Sequence, residues 1–332
     1  MAGKKFDAVG IGNAIVDVIA SADEAFIQKM GLIHGSMTLL NARDAERIYQ
    51  AMGSARECSG GSAANTIAGL AAMGGKAAFI GKVRNDQLGH VFAHDIRAAG
   101  VHFATPATEM GPDTARCLVL VTPDAQRTMG TYLGASSGLT PADIDRDLLK
   151  QAEVVYLEGY LWDPPQAKEA FLLAMDMAHT FGGKVAFSLS DPFCVDRYRQ
   201  DFRALAEKHI DILFANEEEL KSLYEVKTFD EGLQAVRQYC EVAVLTRSAK
   251  GSVIVTSDEI HVIDAAPVAK VVDTTGAGDL YAAGFLYGYA RNLPLALCGR
   301  LGAAAAAEII SHYGARPEAD LKNLIEPLMA DA

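Results

Sequence analysis

Short apolar runs alternate along this chain with segments whose apolar residues recur every three to four positions. The runs Phe6 to Gly12, Ala77 to Gly81, Val154 to Leu157, Lys184 to Leu189, Ile212 to Ala215 and Val242 to Thr246 have strand length, and most are followed by helix-periodic sequence. Strands apolar throughout and separated by helices predict an α/β fold, doubly wound, with a mainly parallel sheet and helices on both faces. Two stretches break the alternation. Residues 35–40 and 114–133 hold β-prone pieces, including Arg116 to Val121 and Arg127 to Leu133, with no helix between them. They predict a small β-sheet lid rising as excursions from one domain that spans residues 1–332, since no repeat, low-complexity tract or long linker interrupts the chain. The N-terminal Met1 to Asp7 leads into the first strand and does not read as a signal peptide.

With 332 residues, 50% of them hydrophobic, the chain is long enough to bury a large α/β core. Its 30 Lys and Arg stand against 42 Asp and Glu, a net charge of −12. No basic run stands out from that acidic background, which argues against nucleic acid or an anionic membrane as partner. The richest apolar stretch, 301–310, follows Arg300 and contains Glu308, so it predicts a packed helix rather than a membrane span. Five Cys are scattered at 58, 117, 194, 240 and 298 without C-x-x-C spacing, as reduced thiols of a cytoplasmic protein would be. A monomer or homodimer is expected.

The chemistry concentrates in Asp273-Thr274-Thr275-Gly276-Ala277-Gly278-Asp279, followed by an apolar helical run from Leu280. Small residues at 276–278 let consecutive amides approach an anion, and the helix they open turns its positive end to the same point. Asp279, in the first helical turn, is placed to take a proton from an attacking hydroxyl. A capped helix after a glycine turn has the same local spelling. Far upstream, Gly60-Gly61-Ser62-Ala63-Ala64-Asn65 opens another helix, where the glycine pair permits close approach and Asn65 can bond hydroxyls. The first strand ends Gly10-Ile11-Gly12-Asn13-Ala14-Ile15-Val16-Asp17. A dinucleotide fingerprint needs a glycine where Ile15 stands, and no Walker A string occurs, so nucleotide is held some other way.

In that order and separation, the strings at 60–65 and 273–279 resemble the two signatures of the ribokinase-like (PfkB) carbohydrate and nucleoside kinases, and the resemblance covers essentially the whole chain. It implies ATP and Mg²⁺ as cofactors. By resemblance, Asp279 is the catalytic base and Gly276, Ala277 and Gly278 form the anion hole. Asn13, Asp17, Gly60, Gly61 and Asn65 hold the hydroxyls of the acceptor. Asn216-Glu217-Glu218-Glu219 is similar to the family's N-x-x-E motif, in which Asn216 and Glu219 organise the waters of Mg²⁺; Glu217 and Glu218 also suit an acidic first turn. Thr246 to Gly251 is similar to the T-x-G-x-x-G nucleotide loop, with Thr246 and Gly251 matching and Ser248 in place of a glycine. Arg247 and Lys250 stand there either as phosphate contacts or as solvent-facing charges. Adenine is expected beside Ala304 to Gly314. The resemblance extends to a monovalent cation, K⁺ in some members, near Asp273, and to a lid arginine, Arg127, that neutralises phosphate or is simply a surface charge.

The segments Asn13 to Asp17, Phe26 to Leu32 and Gln126 to Ala135 resemble the adenosine-kinase branch most. Met37, Leu39, Leu118, Tyr160 and Leu161 are candidate walls for a base. The expected reaction is ATP-dependent phosphorylation of a primary hydroxyl on a small molecule, adenosine foremost. A sugar such as ribose, fructose or 2-keto-3-deoxygluconate is the alternative acceptor, and a non-catalytic nucleoside or sugar sensor on the kinase scaffold is the alternative of another class.

Overall fold

The protein is described by a computed structural model covering residues 4–124 and 126–330; Met1 to Gly3, and with them the start of the expected N-terminal lead-in, lie outside the described residues. The strands are β1 (Phe6–Ile11), β2 (Ile15–Ser21), β3 (Met37–Leu39), β4 (Arg56–Gly60), β5 (Ala77–Ile80), β6 (His102–Phe103), β7 (Ala115–Val121), β8 (Arg127–Tyr132), β9 (Ala152–Glu158), β10 (Lys184–Ser188), β11 (Ile212–Asn216), β12 (Val242–Thr246), β13 (Ser252–Val255) and β14 (Ile260–Ile263). Nine of them make the main sheet in the order β14-β13-β12-β11-β10-β9-β1-β5-β6. From β12 to β6 every pairing is parallel. The hairpin β13–β14 adds an antiparallel edge.

Both faces of this sheet are covered, which is why its strands read as unbroken apolar runs. On one face Ala8, Phe79, Tyr156 and Phe214 pack against Ile67, Leu280, Phe285 and Leu301, from the helices Ser62–Ala72, Ala277–Tyr289 and Leu295–Ile309. On the other, Val9, Val155 and Phe187 meet Phe171, Phe202, Leu220 and Leu233 from the helices Pro165–Thr180, Pro192–Lys208, Glu217–Tyr224 and Phe229–Val236.

The lid is a sheet of five strands, β3-β8-β7-β2-β4, and so larger than the two excursions expected. Only three residues separate β2 from β1, so in sequence it reads as the tail of the first strand, and β4 is too polar to signal a strand. Alternation divides the lid's faces. Val16, Val18, Leu118 and Leu120 pack with Ile27, Ile48, Phe92 and Ile96 from three covering helices, while Ile15, Asp17, Ile19, Cys117 and Val119 turn toward a cleft between the two sheets. Cys58 and Cys117 pair with Asp17 across β4 and β7, so the carboxylate sits mid-sheet between two thiols.

Candidate active site

The cleft has a volume of about 1780 Å³ and lies at the C-terminal ends of the parallel strands, where Asn13, Glu158, Ser188, Asn216 and Thr246 all face it. Ligands of open α/β sheets occupy that edge because the strand-to-helix turns diverge there.

Asp279 stands in the first turn of the helix Ala277–Tyr289, whose N-cap Gly276 has φ 78°. Ser62 Oγ donates to its Oδ1 at 2.7 Å and Asn65 Nδ2 to its Oδ2 at 3.1 Å. The two strings recognised in the sequence, 217 residues apart at Ser62 and Asp279, are thus bonded to each other. Burial raises the Asp279 pKa, opposed by Ser62, Asn65 and the charge of Arg316. Asn65 is buried, and its Oδ1 has no partner among the described residues, an acceptor open to a ligand hydroxyl. Of the amides at 276–278, that of Ala277 donates to Thr274 O at 3.2 Å. A Cβ at Gly278 would meet nothing within 4 Å, so that backbone is open to a phosphate-sized group.

The glycine pair has two separate reasons. A Cβ on Gly60 would lie 2.6 Å from the Asp17 carboxyl carbon, and one on Gly61, which has φ 97°, would overlap the carbonyl oxygen of Asn13. Asp17 faces the cleft, with its pKa pushed up to about 6 by burial and held from rising further by Arg316 and Arg127. Asn13 lines the cleft differently from the expected hydroxyl grip. Its side chain is 2% exposed, with Nδ2 donating to Glu158 Oε1 at 2.6 Å and Oδ1 accepting from Ser136 Oγ at 2.8 Å. Both polar ends are engaged by protein.

Where the nucleotide is expected, Asn216 and Glu219 bond reciprocally as a capping box: Asn216 Oδ1 accepts from Glu219 N, and Glu219 Oε2 accepts from Asn216 N, each at 2.9 Å. Both line the cleft; burial pushes Glu219 up to about 7. Each carboxylate oxygen of Glu219 already accepts one bond from Asn216 and keeps a second lone pair, so the pair fits Mg²⁺ through water, as hard oxygen donors, better than by direct ligation. Among the described residues no three His, Cys, Asp or Glu side chains are grouped to hold a metal. Thr246, Ser248 and Gly251 also line the cleft, Ser248 in the left-handed region at φ 52° and Gly251 at φ 77°. Arg247 turns away, bonded to Glu217 Oε2 at 3.0 Å and stacked 4.0 Å over Phe229, while Lys250 is exposed. Neither side chain lines the cleft: Arg247 is a part-buried ion pair, and only Lys250 faces solvent. Ala303, Ala306, Ala307 and Gly314 form a shelf of small residues in the expected adenine region.

The carboxylate of Asp273 is saturated within the protein. Its Oδ1 accepts from Thr275 N and Oγ1, its Oδ2 from Gly314 N at 3.1 Å, and Arg127 Nη2 lies 2.7 Å from Oδ2. Among the described residues, the cation beside this carboxylate is thus the Arg127 guanidinium. Both side chains are 8% exposed, and Nε and Nη2 of Arg127 have no hydrogen-bond acceptor among the described residues, because the contact with Asp273 is off the N–H axis. Arg127 is not a surface charge; it crosses from the lid to the loop before the helix Ala277–Tyr289. Of the candidate base walls, Met37, Leu39 and Tyr160 line the cleft, whereas Leu118 and Leu161 are core residues at 0% and 1% exposure. Leu118 is one position out of phase with Cys117 and Val119, which face the cleft in its stead.

Sequence reasoning missed Glu158 and Arg316. Glu158 is fully buried, with its pKa raised to about 7 by desolvation despite bonds from Asn13 and Ala63 amides. Its position at the C-terminal end of a central apolar strand was the available signal. Arg316 carries none.

Comparison with known proteins agrees with this site. The profile of the pfkB family carbohydrate kinases matches residues 36–321. The chain belongs to that family. It is an ATP-dependent phosphotransferase with the ribokinase-like fold. A solved structure of adenosine kinase from Sinorhizobium meliloti is 48% identical, covers 99% of this chain and 100% of its own, and superposes with a TM-score of 0.91. A probable sugar kinase from Rhizobium etli CFN 42 is 46% identical over 98% of both chains, TM-score 0.92. A curated relative, 5-dehydro-2-deoxygluconokinase of Geobacillus kaustophilus, is 28% identical over 82% of this chain and 85% of its own. Use of ATP, with Mg²⁺ as usual for such kinases, and a small sugar or nucleoside acceptor follow from membership.

Proposed function

We propose that this pfkB kinase transfers the γ-phosphoryl group of ATP to the 5′-hydroxyl of adenosine. The observation that carries the reading is the acceptor half of the cleft: Asp17 and Asp279 face it, and beyond them stands an apolar lid wall of Ile19, Met37, Leu39, Val119 and Met129. Carboxylates suit ribose hydroxyls, and the wall gives a purine apolar surface that a free sugar cannot use. Burying about 100 Å² of it is worth roughly 2.5 kcal/mol. The adenosine kinase of S. meliloti supports the same reading.

In the proposed reaction Asp279 takes the hydroxyl proton, the hydroxyl oxygen bonds to the γ-phosphorus, and the bond to the β,γ-bridging oxygen breaks to release ADP. Open amides at the start of the Ala277–Tyr289 helix and the unpartnered donors of Arg127 receive the charge on the moving phosphoryl group. Asn216 and Glu219 would hold Mg²⁺ through its waters, and the ion would supply positive charge against the phosphate oxygens. Asn65 Oδ1 accepts from an acceptor hydroxyl, while Asn13 positions the wall behind it. The whole chain acts as one kinase unit whose lid closes over the acceptor, in the cytoplasm.

A sugar kinase is the second reading, favoured by the 5-dehydro-2-deoxygluconokinase match. ADP release measured with adenosine, ribose, fructose, 2-keto-3-deoxygluconate and 5-dehydro-2-deoxygluconate decides between them. We expect the highest kcat/KM for adenosine; a larger value for any sugar overturns the nucleoside reading and leaves the phosphotransferase in place. Tight ligand binding without turnover would make the chain a sensor.

A further inference from the structure

Five charged side chains converge on seven residues, Ser59 to Asn65. The Asp17 carboxyl fills the space a Cβ on Gly60 would need. Asp95 Oδ2 accepts from Ser59 N at 2.7 Å, Glu158 Oε2 from Ala63 N at 2.6 Å, and Asp279 from Ser62 and Asn65. These four are carboxylates. Among the described residues, one cation bonds to the same segment: Arg316, whose Nε donates to Ser59 O at 3.2 Å, Nη1 to Ala64 O at 2.9 Å and Nη2 to Ser59 Oγ at 2.9 Å. Every guanidinium nitrogen is used, so the plane of the group is fixed.

The neighbours of Arg316 reach the loop from Asp273 to Gly276. Gly314 N donates to Asp273, and Ala315 packs on Gly276, where a Cβ would come within 3.1 Å of the alanine methyl. Three consecutive residues thus touch the anion-hole loop with the first two and the acceptor segment with the third.

We propose that Arg316 is a positioning residue for phosphoryl transfer: it ties the Gly276–Gly278 loop to the Ser59–Asn65 segment and supplies the positive charge that keeps Asp17 and Asp279 ionised between the two ligands. The inference rests on the acceptor and base roles proposed for those two aspartates. Arg316 is drawn down by burial and drawn up by Asp17, Asp95, Cys58 and Asp279, so the charges act on one another. Around Asp17, Arg316 is the foremost opposing charge and Arg127 the next, with Asp279 acting the other way. Cys58 and Cys117 flank Asp17, but burial pushes these thiols up to about 11 and about 12, so both are neutral at pH 7. Around Asp279 stand Ser62, Asn65 and Arg316, with Glu158, Tyr156 and Tyr160 also within its electrostatic reach. Removing a cation from such a set raises the carboxyl pKa values, and the acid limb of activity moves to higher pH.

The test compares Arg316→Met and Arg316→Lys with wild type by carboxyl ¹³C NMR titration of aspartate-labelled protein and by the pH dependence of kcat/KM. In R316M we expect Asp17 and Asp279 to titrate about 0.5 pH unit or more higher, the acid limb to follow, and acceptor KM to rise about tenfold or more. R316K restores the titrations, because the charge returns, yet keeps a raised acceptor KM, because an ammonium cannot hold Ser59 and Ala64 together in the geometry of the fork. An R316M enzyme with unmoved titrations overturns the proposal, whether its acceptor KM is normal or it is merely less stable. If wild type phosphorylates no acceptor, the functional reading falls, while the NMR titrations, which need no turnover, still decide the role of Arg316.

Discussion

The two walls of the cleft are built in different ways. On the acceptor wall, side chains are tied to side chains: Ser62 and Asn65 to Asp279, Asn13 to Glu158 and Ser136, and Arg316 to the segment between them. The nucleotide wall consists of backbone and small residues, with a helix cap at Asn216–Glu219, a loop from Thr246 to Gly251 and an alanine shelf on the helix Leu295–Ile309. Burial raises carboxyls on both walls, Asp17 and Glu158 on the first and Glu219 on the second, so the walls differ in how their groups are tied and not in their charge state. With the ligands assigned as proposed, the contrast teaches that chemistry and acceptor choice would depend on individual groups, and nucleotide binding mainly on shape. Substitutions on the first wall are therefore expected to act on turnover and acceptor binding, and those on the second on stability or nucleotide affinity.

The sharpest break comes at Asp279. Asp279→Asn keeps the size of the side chain and the fold but removes the proposed base, so kcat falls at least about a hundredfold while ATP affinity is retained. Coupled ADP-release kinetics and nucleotide calorimetry measure the two sides; turnover near wild type would dissolve the distinction between the walls.

Next comes Asp17→Ala, expected to weaken acceptor binding roughly ten- to a hundredfold with ATP binding little changed. Its pH dependence carries a sign. Asp17 titrates at about 6 in the folded protein, above the ordinary carboxyl value, so its acceptor-binding anion is lost as pH falls through 6. Wild-type acceptor affinity then declines below pH 6, and affinity in the variant does not follow that curve. Equal weakening of both ligands by calorimetry would assign Asp17 to the fold instead.

A smaller effect is expected on the other wall. Glu219→Ala removes half of a capping box and costs about 1 kcal/mol of stability, together with a loss of Mg²⁺-ATP affinity and none of acceptor affinity. Thermal melting and Mg²⁺-dependent kinetics check both parts.

The smallest concerns Ser248, which occupies the left-handed region at φ 52° where the family pattern has glycine. That conformation costs an L-residue about 1 kcal/mol or more, and the greater freedom of a glycine in the unfolded chain takes back about half. Ser248→Gly is accordingly expected to stabilise by about 0.5 kcal/mol, a slight rise in Tm, with kcat unchanged. A lower Tm would show that the serine side chain contributes more than its backbone strain removes.

The sequence by itself determined the α/β class, the parallel sheet and the family. Strands buried on both faces are written as local apolar runs, and anion-binding turns are written as consecutive small residues; both are short-range requirements that a string of residues displays. The same holds for the glycine strings at 60–61 and 276–278, although the bond between Ser62 and Asp279 that joins them was decided by the fold. Tertiary structure alone decided the rest. The lid gained β2 and β4 because strand partners are chosen across sequence separations that no local pattern records. Leu118 went to the core and Cys117 to the cleft because the register of β7 against β2 fixes which alternate face is covered. Arg127 reached Asp273, and Arg316 reached Ser59 and Ala64, 257 and 252 residues away, because a buried guanidinium is bonded wherever folding brings carbonyls and carboxylates within reach.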